Sequence, residues 1–196
     1  MDASALTLAL LDFAGIGMLP LAFFRRDGRL NLDWWLTAWP FFAGPALLIA
    51  SAAHAFAPVD PHGWAGPLGA VSVAPFAASL ALLFWTLSTH RIRIALWHQE
   101  NDAPAALVTS GPYRLVRHPF YVSFLLALLG EVALLPHWST GALLVYAVAR
   151  LNSTAAREEK RLAHSAFGPE YRGYAARTGR FVPRPRFAPR SPATEG

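Results

Sequence analysis

The amino-acid sequence predicts an all-α fold: a polytopic membrane helix bundle of about five transmembrane segments, the last two paired as a helical hairpin and followed by a cytoplasmic helical cap. Three observations carry this. Hydrophobic residues make up 54% of the 196 residues and charged ones only 15%, a balance foreign to soluble domains. The apolar residues gather into runs long enough for a membrane helix, which needs roughly 20 of them. All 17 Lys and Arg fall into three blocks between those runs, at 25–29, 91–117 and 150–190.

The first run, residues 4–24, has no basic stretch before it and carries Asp12, so it reads as a retained span rather than a cleaved leader. The second, 34–58, contains Pro40 and Pro45, and the third, 65–88, contains Pro67 and Pro75. Membrane helices tolerate such prolines, and kinks are expected there. The fourth run, 119–150, is too long for one straight span and short for two. Charge decides its shape. The three basic blocks share one side of the membrane only if this run enters and returns, turning near Pro136-His137-Trp138; a single kinked helix would export ten basic residues. The N-terminus and the 58–64 loop are therefore expected outside, with the basic blocks in the cytoplasm. Trp34, Trp35, Trp39, Trp64, Trp85, Trp97 and Trp138 lie mostly near span ends, as in an aromatic belt, and His54, His62, His90 and His98 read as interfacial.

After the hairpin, 152–166 reads as an amphipathic helix leaving the membrane at Arg150, with Leu151, Ala155, Leu162 and Ala166 on one side. Phe167-Gly168-Pro169 is expected to end it, and 170–177 to form one more short helix. Beyond Pro183 the Arg- and Pro-rich stretch is expected to be disordered. The chain thus divides into three N-terminal spans (1–90), a core (91–183) and a basic tail (184–196).

Cysteine is absent, which excludes disulfides, thiolate metal sites and covalent thiol catalysis. A net charge of +5 and a pI near 10.2 would suit nucleic acid, but charges confined between apolar runs argue against it. No Gly-rich loop follows a strand pattern, no phosphate loop occurs, and no His pair has metal spacing. A cofactor would need a pocket between helices.

The densest polar cluster is Ser110-Gly111-Pro112-Tyr113-Arg114-Leu115-Val116-Arg117-His118-Pro119-Phe120-Tyr121, just before the hairpin; the second is Arg157-Glu158-Glu159, just after it. A hairpin brings its ends together, so the clusters should be neighbours. Pro119 suits the first turn of a helix, placing His118 at its entrance. Such an end, backed by Arg114 and Arg117, favours an anion such as an amino-acid carboxylate. Glu158 and Glu159 suit ribose hydroxyls, an ammonium or a sulfonium, and Tyr113 and Tyr121 offer aromatic faces. The plainer alternative has His118 capping the helix and the glutamates pairing with Lys160 and Arg161 on a solvated face. Asp12 and Glu131 lie inside apolar runs, where carboxylates mark either function or a contact with a neighbouring helix: Asp12 facing another helix, Glu131 a polar residue near His137.

The run Gly-Pro-Tyr-Arg-Leu-Val-Arg-His-Pro-Phe-Tyr resembles the signature of the isoprenylcysteine carboxyl methyltransferases and related phospholipid N-methyltransferases. The second half is similar too: Glu158-Glu159, then Phe167-Gly168, Tyr171, Tyr174 and Pro183 stand in the order those families show. The likeness covers 107–183. It implies a pocket for S-adenosylmethionine formed by Tyr113, Arg117, His118, Pro119, Tyr121, Glu158 and Glu159, roofed by the C-terminal segment, with Glu159 the functional glutamate. Two departures stand out: Ser123 occupies a position usually held by glycine, and some eukaryotic members carry an arginine shortly before the glutamates, near the positions held here by Asn152, Ser153 and Thr154. Arg150 and Arg157, on one helix face, are the available substitutes to grip an acceptor.

The implied reaction is methyl transfer to a lipophilic acceptor, most simply a carboxylate, with an ethanolamine phospholipid amine as alternative. A sterol-reductase-type enzyme has a similar C-terminal half but more spans, and a non-catalytic membrane module is the alternative of another class. The acceptor and the oligomeric state are open at this level.

Overall fold

The computed structural model describes residues 3–18, 32–59, 63–89 and 107–184. Among these residues the regular elements are helices: α1 (Ala3–Met18), α2 (Leu32–Ala38), α3 (Pro40–Ala52), α4 (Ala65–Val71), α5 (Val73–Thr89), α6 (Pro119–Leu134), α7 (Trp138–Ala163) and α8 (Gly168–Arg177), with a 3-10 turn at Gly111–Arg114. The stretches expected at 19–31, His62, 90–106 and the tail from 185 lie outside the described residues.

Proline sets the breaks. Pro40 separates α2 from α3, yet Trp39 N–H still donates to Trp35 O at 3.0 Å, so the two run on as one bent stretch. Between α4 and α5, Pro75 supplies no N–H to the Val71 carbonyl, and the chain bends at Ser72, whose Oγ donates to Gly69 O at 2.6 Å. Leu32–Ala52 and Gly66–Thr89 are each long and apolar enough to cross a membrane, while Ala3–Gly17 and Pro119–Leu134 are apolar but shorter.

The helices meet around Phe13, Leu48, Phe76, Leu83, Leu128 and Leu151, all buried. Small residues set the closest approaches. A Cβ on Gly130 would stand 3.0 Å from three ring atoms of Phe76, so the Phe76 ring of α5 packs directly on the α6 backbone there.

Two carboxylates are fully buried in this interior. Ser79 Oγ lies 2.9 Å from Asp12 Oδ1 and 2.8 Å from Ser123 O, its one proton shared between the two acceptors, tying α1, α5 and α6 together. Asp12 thus faces another helix, as expected. Ser123 is absorbed in this helix contact. Glu131 differs from expectation: it lies against Gly44 and Phe13, and neither carboxylate oxygen has a hydrogen-bond partner among the described residues. His137 pairs instead with Ser139, Nδ1 to Oγ 2.7 Å.

α7 also departs from the sequence expectation. It runs unbroken past Arg150 because 138–163 contains no proline and its one glycine, Gly141, lies in the first turn. It ends at Ala163 rather than near 166. Gly168 and Pro169 open α8 instead of closing α7: the proline sits in a first turn, where its missing N–H costs nothing, and a side chain on Gly168 would strike the Ala163 carbonyl.

Candidate active site

The chain leaves the 3-10 turn at Arg114, passes Arg117 and His118, and enters α6 with Pro119 in the first turn. α7 brings Glu158 and Glu159 back to the same place. The segment after α8 closes over both, since Arg117 N–H donates to Gly179 O at 2.8 Å and His118 N–H to Arg180 O at 3.2 Å. Tyr174 OH adds a bond to Tyr113 O at 2.7 Å.

Glu159 is the hub. Its Oε1 receives Arg117 Nε at 3.0 Å and Nη2 at 2.9 Å, and Arg180 Nε at 3.0 Å; its Oε2 receives Arg180 Nη2 at 2.7 Å. His118 Nε2 lies 3.1 Å from the same Oε1. Burial alone would raise this carboxyl's pKa, but the hydrogen bonds from His118, Arg180 and Arg117 outweigh it and hold the group well below the usual carboxylate range. Arg117 also donates to the carbonyls of Ala175, at 3.2 Å, and Thr178.

Glu158 faces the other way, accepting Tyr121 OH at 2.6 Å, with Oε2 3.4 Å from His118 Nδ1. The imidazole therefore stands between two carboxylates, one at each ring nitrogen. Burial favours its neutral form, yet Glu158 and Glu159 prevail and raise its pKa above the ordinary 6.5. The His118 and Tyr121 rings are parallel within 2° at 5.3 Å, and Phe181 meets them edge-on. His118 makes no side-chain cap bond to α6, so the plainer reading of this residue does not hold.

Five of the residues singled out in the sequence thus converge: Arg117, His118, Tyr121, Glu158 and Glu159. Pro119 shapes the entry to α6, and Tyr113 contributes its carbonyl to Tyr174. Arg114 is exposed. Arg150 and Arg157 stand apart, on another face of α7, where both engage Asp33 of α2.

Arg117-His118 and Glu158-Glu159 both fall inside one stretch, residues 81–164, that a family model matches. That family is the isoprenylcysteine carboxyl methyltransferase (ICMT) family. The ICMT-type segment spans most of α5, all of α6 and α7, and stops short of α8 and Arg180. Similar proteins include the cobalt-zinc-cadmium resistance protein CzcN of Cupriavidus metallidurans, 41% identical over 115 residues covering 57% of this chain and 51% of that protein. The nickel-cobalt-cadmium resistance protein NccN of Alcaligenes xylosoxydans xylosoxydans is 38% identical over 78 residues, 40% of this chain and 36% of that protein. The match thus spans about half of the first relative and about a third of the second. No solved structure matches. Together with the two long apolar stretches, the ICMT match points to a membrane protein. Among the described residues no three His, Cys, Asp or Glu side chains are grouped to hold a metal ion.

Arg180 and Phe181 were not singled out from sequence. Arg180 sits in a run of basic residues that reads as boundary charge, and the one local signal is Gly179 before it: a side chain there would strike the Val182 carbonyl, so the glycine marks a tight turn aiming Arg180 inward. Asn152, the first of the three residues noted as a departure, accepts from Arg180 Nη1 at 2.7 Å.

Proposed function

We propose that this protein is an integral membrane methyltransferase that uses S-adenosylmethionine to methylate a lipophilic acceptor. The observation that carries this reading is the convergence of Arg117-His118 with Glu158-Glu159 inside the ICMT-family segment. The donor set suits the cofactor. Glu158 fits ribose hydroxyls or the ammonium, the parallel His118 and Tyr121 rings fit a flat base or a sulfonium, and a ligand carboxylate would reach Arg117 or His118 in exchange for their contacts to Glu159. When bound, the cofactor supplies a methyl group on a positively charged sulfur.

The residues of this chain contribute binding, orientation and exclusion of water. Glu159, held ionised by two guanidiniums, positions Arg117, Arg180 and His118 and keeps the C-terminal segment docked. Glu158, with a lighter shell of partners, is the carboxylate better placed to turn to a ligand. A carboxylate acceptor needs no base; an amine acceptor would need its proton taken, for which Glu158 serves better than the saturated Glu159. On this reading the bundle crosses the membrane about five times, with α6 and α7 as a hairpin, the N-terminus outside and the site at the cytoplasmic face.

A non-catalytic reading has an observation of its own: a purely structural clasp would also saturate Glu159 with arginines. Calorimetric titration of S-adenosylmethionine into the detergent-purified protein separates the two. Binding by the parent, lost in His118→Ala and Glu159→Ala variants that keep their helix content, supports the methyltransferase. No binding by the parent in detergent or in bilayers refutes it.

A further inference from the structure

Two guanidiniums meet Glu159, and they are held differently. Arg117, 10% exposed, also donates to the backbone carbonyls of Ala175 and Thr178, so its place is built into the fold. Arg180 is 31% exposed. Among the described residues its side chain bonds to two other side chains and to no carbonyl of the backbone. It grips Glu159 through Nε at 3.0 Å and Nη2 at 2.7 Å, and Asn152 Oδ1 through Nη1 at 2.7 Å. The Arg180 backbone is nevertheless pinned, because Gly179 pairs with Val116 and Arg180 O accepts from His118 N–H at 3.2 Å. The side chain is therefore free to turn without undoing the segment that carries it.

We propose that the Arg180–Glu159 pair opens to receive the amino-acid end of the cofactor, Arg180 taking the carboxylate and Glu159 Oε2 the ammonium, while Asn152 keeps the guanidinium in place. This rests on the methyltransferase reading. Glu159 stays paired through the exchange, since Oε1 keeps Arg117 and His118, and the atom set free is Oε2, whose bond is to Arg180. A zwitterion brings one anion and one cation, so each member of the pair exchanges one counter-charge for another and no charge is left uncompensated. Asn152 lies seven residues before Glu159, nearly two turns, on the same face of α7. As a neutral amide it orients Arg180 without competing for its charge. Phe181, next in the chain, meets the His118 and Tyr121 rings edge-on, so the turn that presents Arg180 also sits against the rings suited to the rest of the cofactor. Arg180 lies beyond residue 164, where the ICMT match ends; its role belongs to this chain.

The test is equilibrium binding of S-adenosylmethionine and of its decarboxylated analogue, which keeps the sulfonium and the ammonium, to the protein in phosphatidylcholine nanodiscs. The parent should prefer the ligand that carries the carboxylate by about tenfold. Arg180→Gln should abolish the preference by weakening S-adenosylmethionine alone, and Arg180→Lys, which keeps the charge and loses the fork, should recover part of it. Arg117→Gln should weaken both ligands alike. Should Arg180→Gln not fold, Asn152→Ala should reduce the preference by roughly threefold; an unchanged preference there overturns the proposal. So does a parent without the preference, an equal loss of both ligands in Arg180→Gln, or a preference that disappears in Arg117→Gln and survives in Arg180→Gln. Binding of neither ligand by the parent refutes the methyltransferase reading itself, and this assignment with it.

Discussion

Replacing Glu159 by Gln removes the charge at the hub of the site while keeping its shape, and its cost follows from the contacts. Two guanidiniums lose their counter-charge. Arg117, with 10% of its side chain exposed, resembles a buried partner, for which breaking the pair costs roughly 3–5 kcal/mol. It keeps its bonds to the Ala175 and Thr178 carbonyls, however. Arg180, 31% exposed, turns to water at a cost of about 1 kcal/mol or less. The glutamine still accepts one hydrogen bond, so the net loss should be about 2–3 kcal/mol. It should appear locally, as undocking of the segment after α8, because the bundle core does not depend on Glu159. The reporters are the Arg117 and His118 amides, which donate to Gly179 and Arg180. Hydrogen–deuterium exchange at those amides should speed up roughly 30- to 150-fold in Glu159→Gln, at tenfold per 1.4 kcal/mol, while α5 and α6 amides stay protected. Unchanged protection at Arg117 and His118 would refute the argument and leave Tyr171, Tyr174 and Phe181 as the groups that hold this segment down.

The same amides should report pH. The folded-state pKa of His118 is raised above 6.5, so its contribution is complete below about pH 6.5 and lost as pH rises through the higher folded value; that of Glu159 is lowered from 4.5, so its contribution is complete above about pH 4.5 and lost only at much lower pH. Protection corrected for intrinsic exchange should therefore hold level between these values and decline on the alkaline side, and His118→Gln should abolish the decline. In the interior, Gly130→Ala should cost about 1–3 kcal/mol, because its methyl meets the fully buried ring of Phe76. Thermal unfolding in detergent would detect it, and Phe76→Leu should recover part of the loss; a neutral Gly130→Ala would show that α5 and α6 pack less closely.

What was legible in the sequence was local. Apolar runs and prolines marked the helices and their bends, and Pro119 placed His118 at the start of α6. The polar clusters flanking residues 119–150 turned out to be in direct contact. What was not legible depends on residues meeting across long separations. Arg150 and Arg157 have the composition of an acceptor grip, but Asp33, more than a hundred residues earlier, reads as an ordinary first-turn acid until the fold sets it between them. Arg180 is one basic residue among ten in its block, and its inward direction comes from a turn whose partner is the backbone at Val116. Glu131 was legible as unusual, but no periodicity could reveal that its neighbour is the bare backbone of Gly44.

The pairing of Val116 with Gly179 also fixes when the site is completed during synthesis. Arg117 and its partner Thr178 are 61 residues apart, so the first half of the clasp waits through the making of α6, α7 and α8 before its second half exists. Until Arg180 has been translated, Glu159 has only Arg117 and His118 for partners among the groups that later surround it. The clasp is complete only when the last turn folds back over His118. A chain cut short before residue 179 would keep these helices and lack the turn that closes over His118.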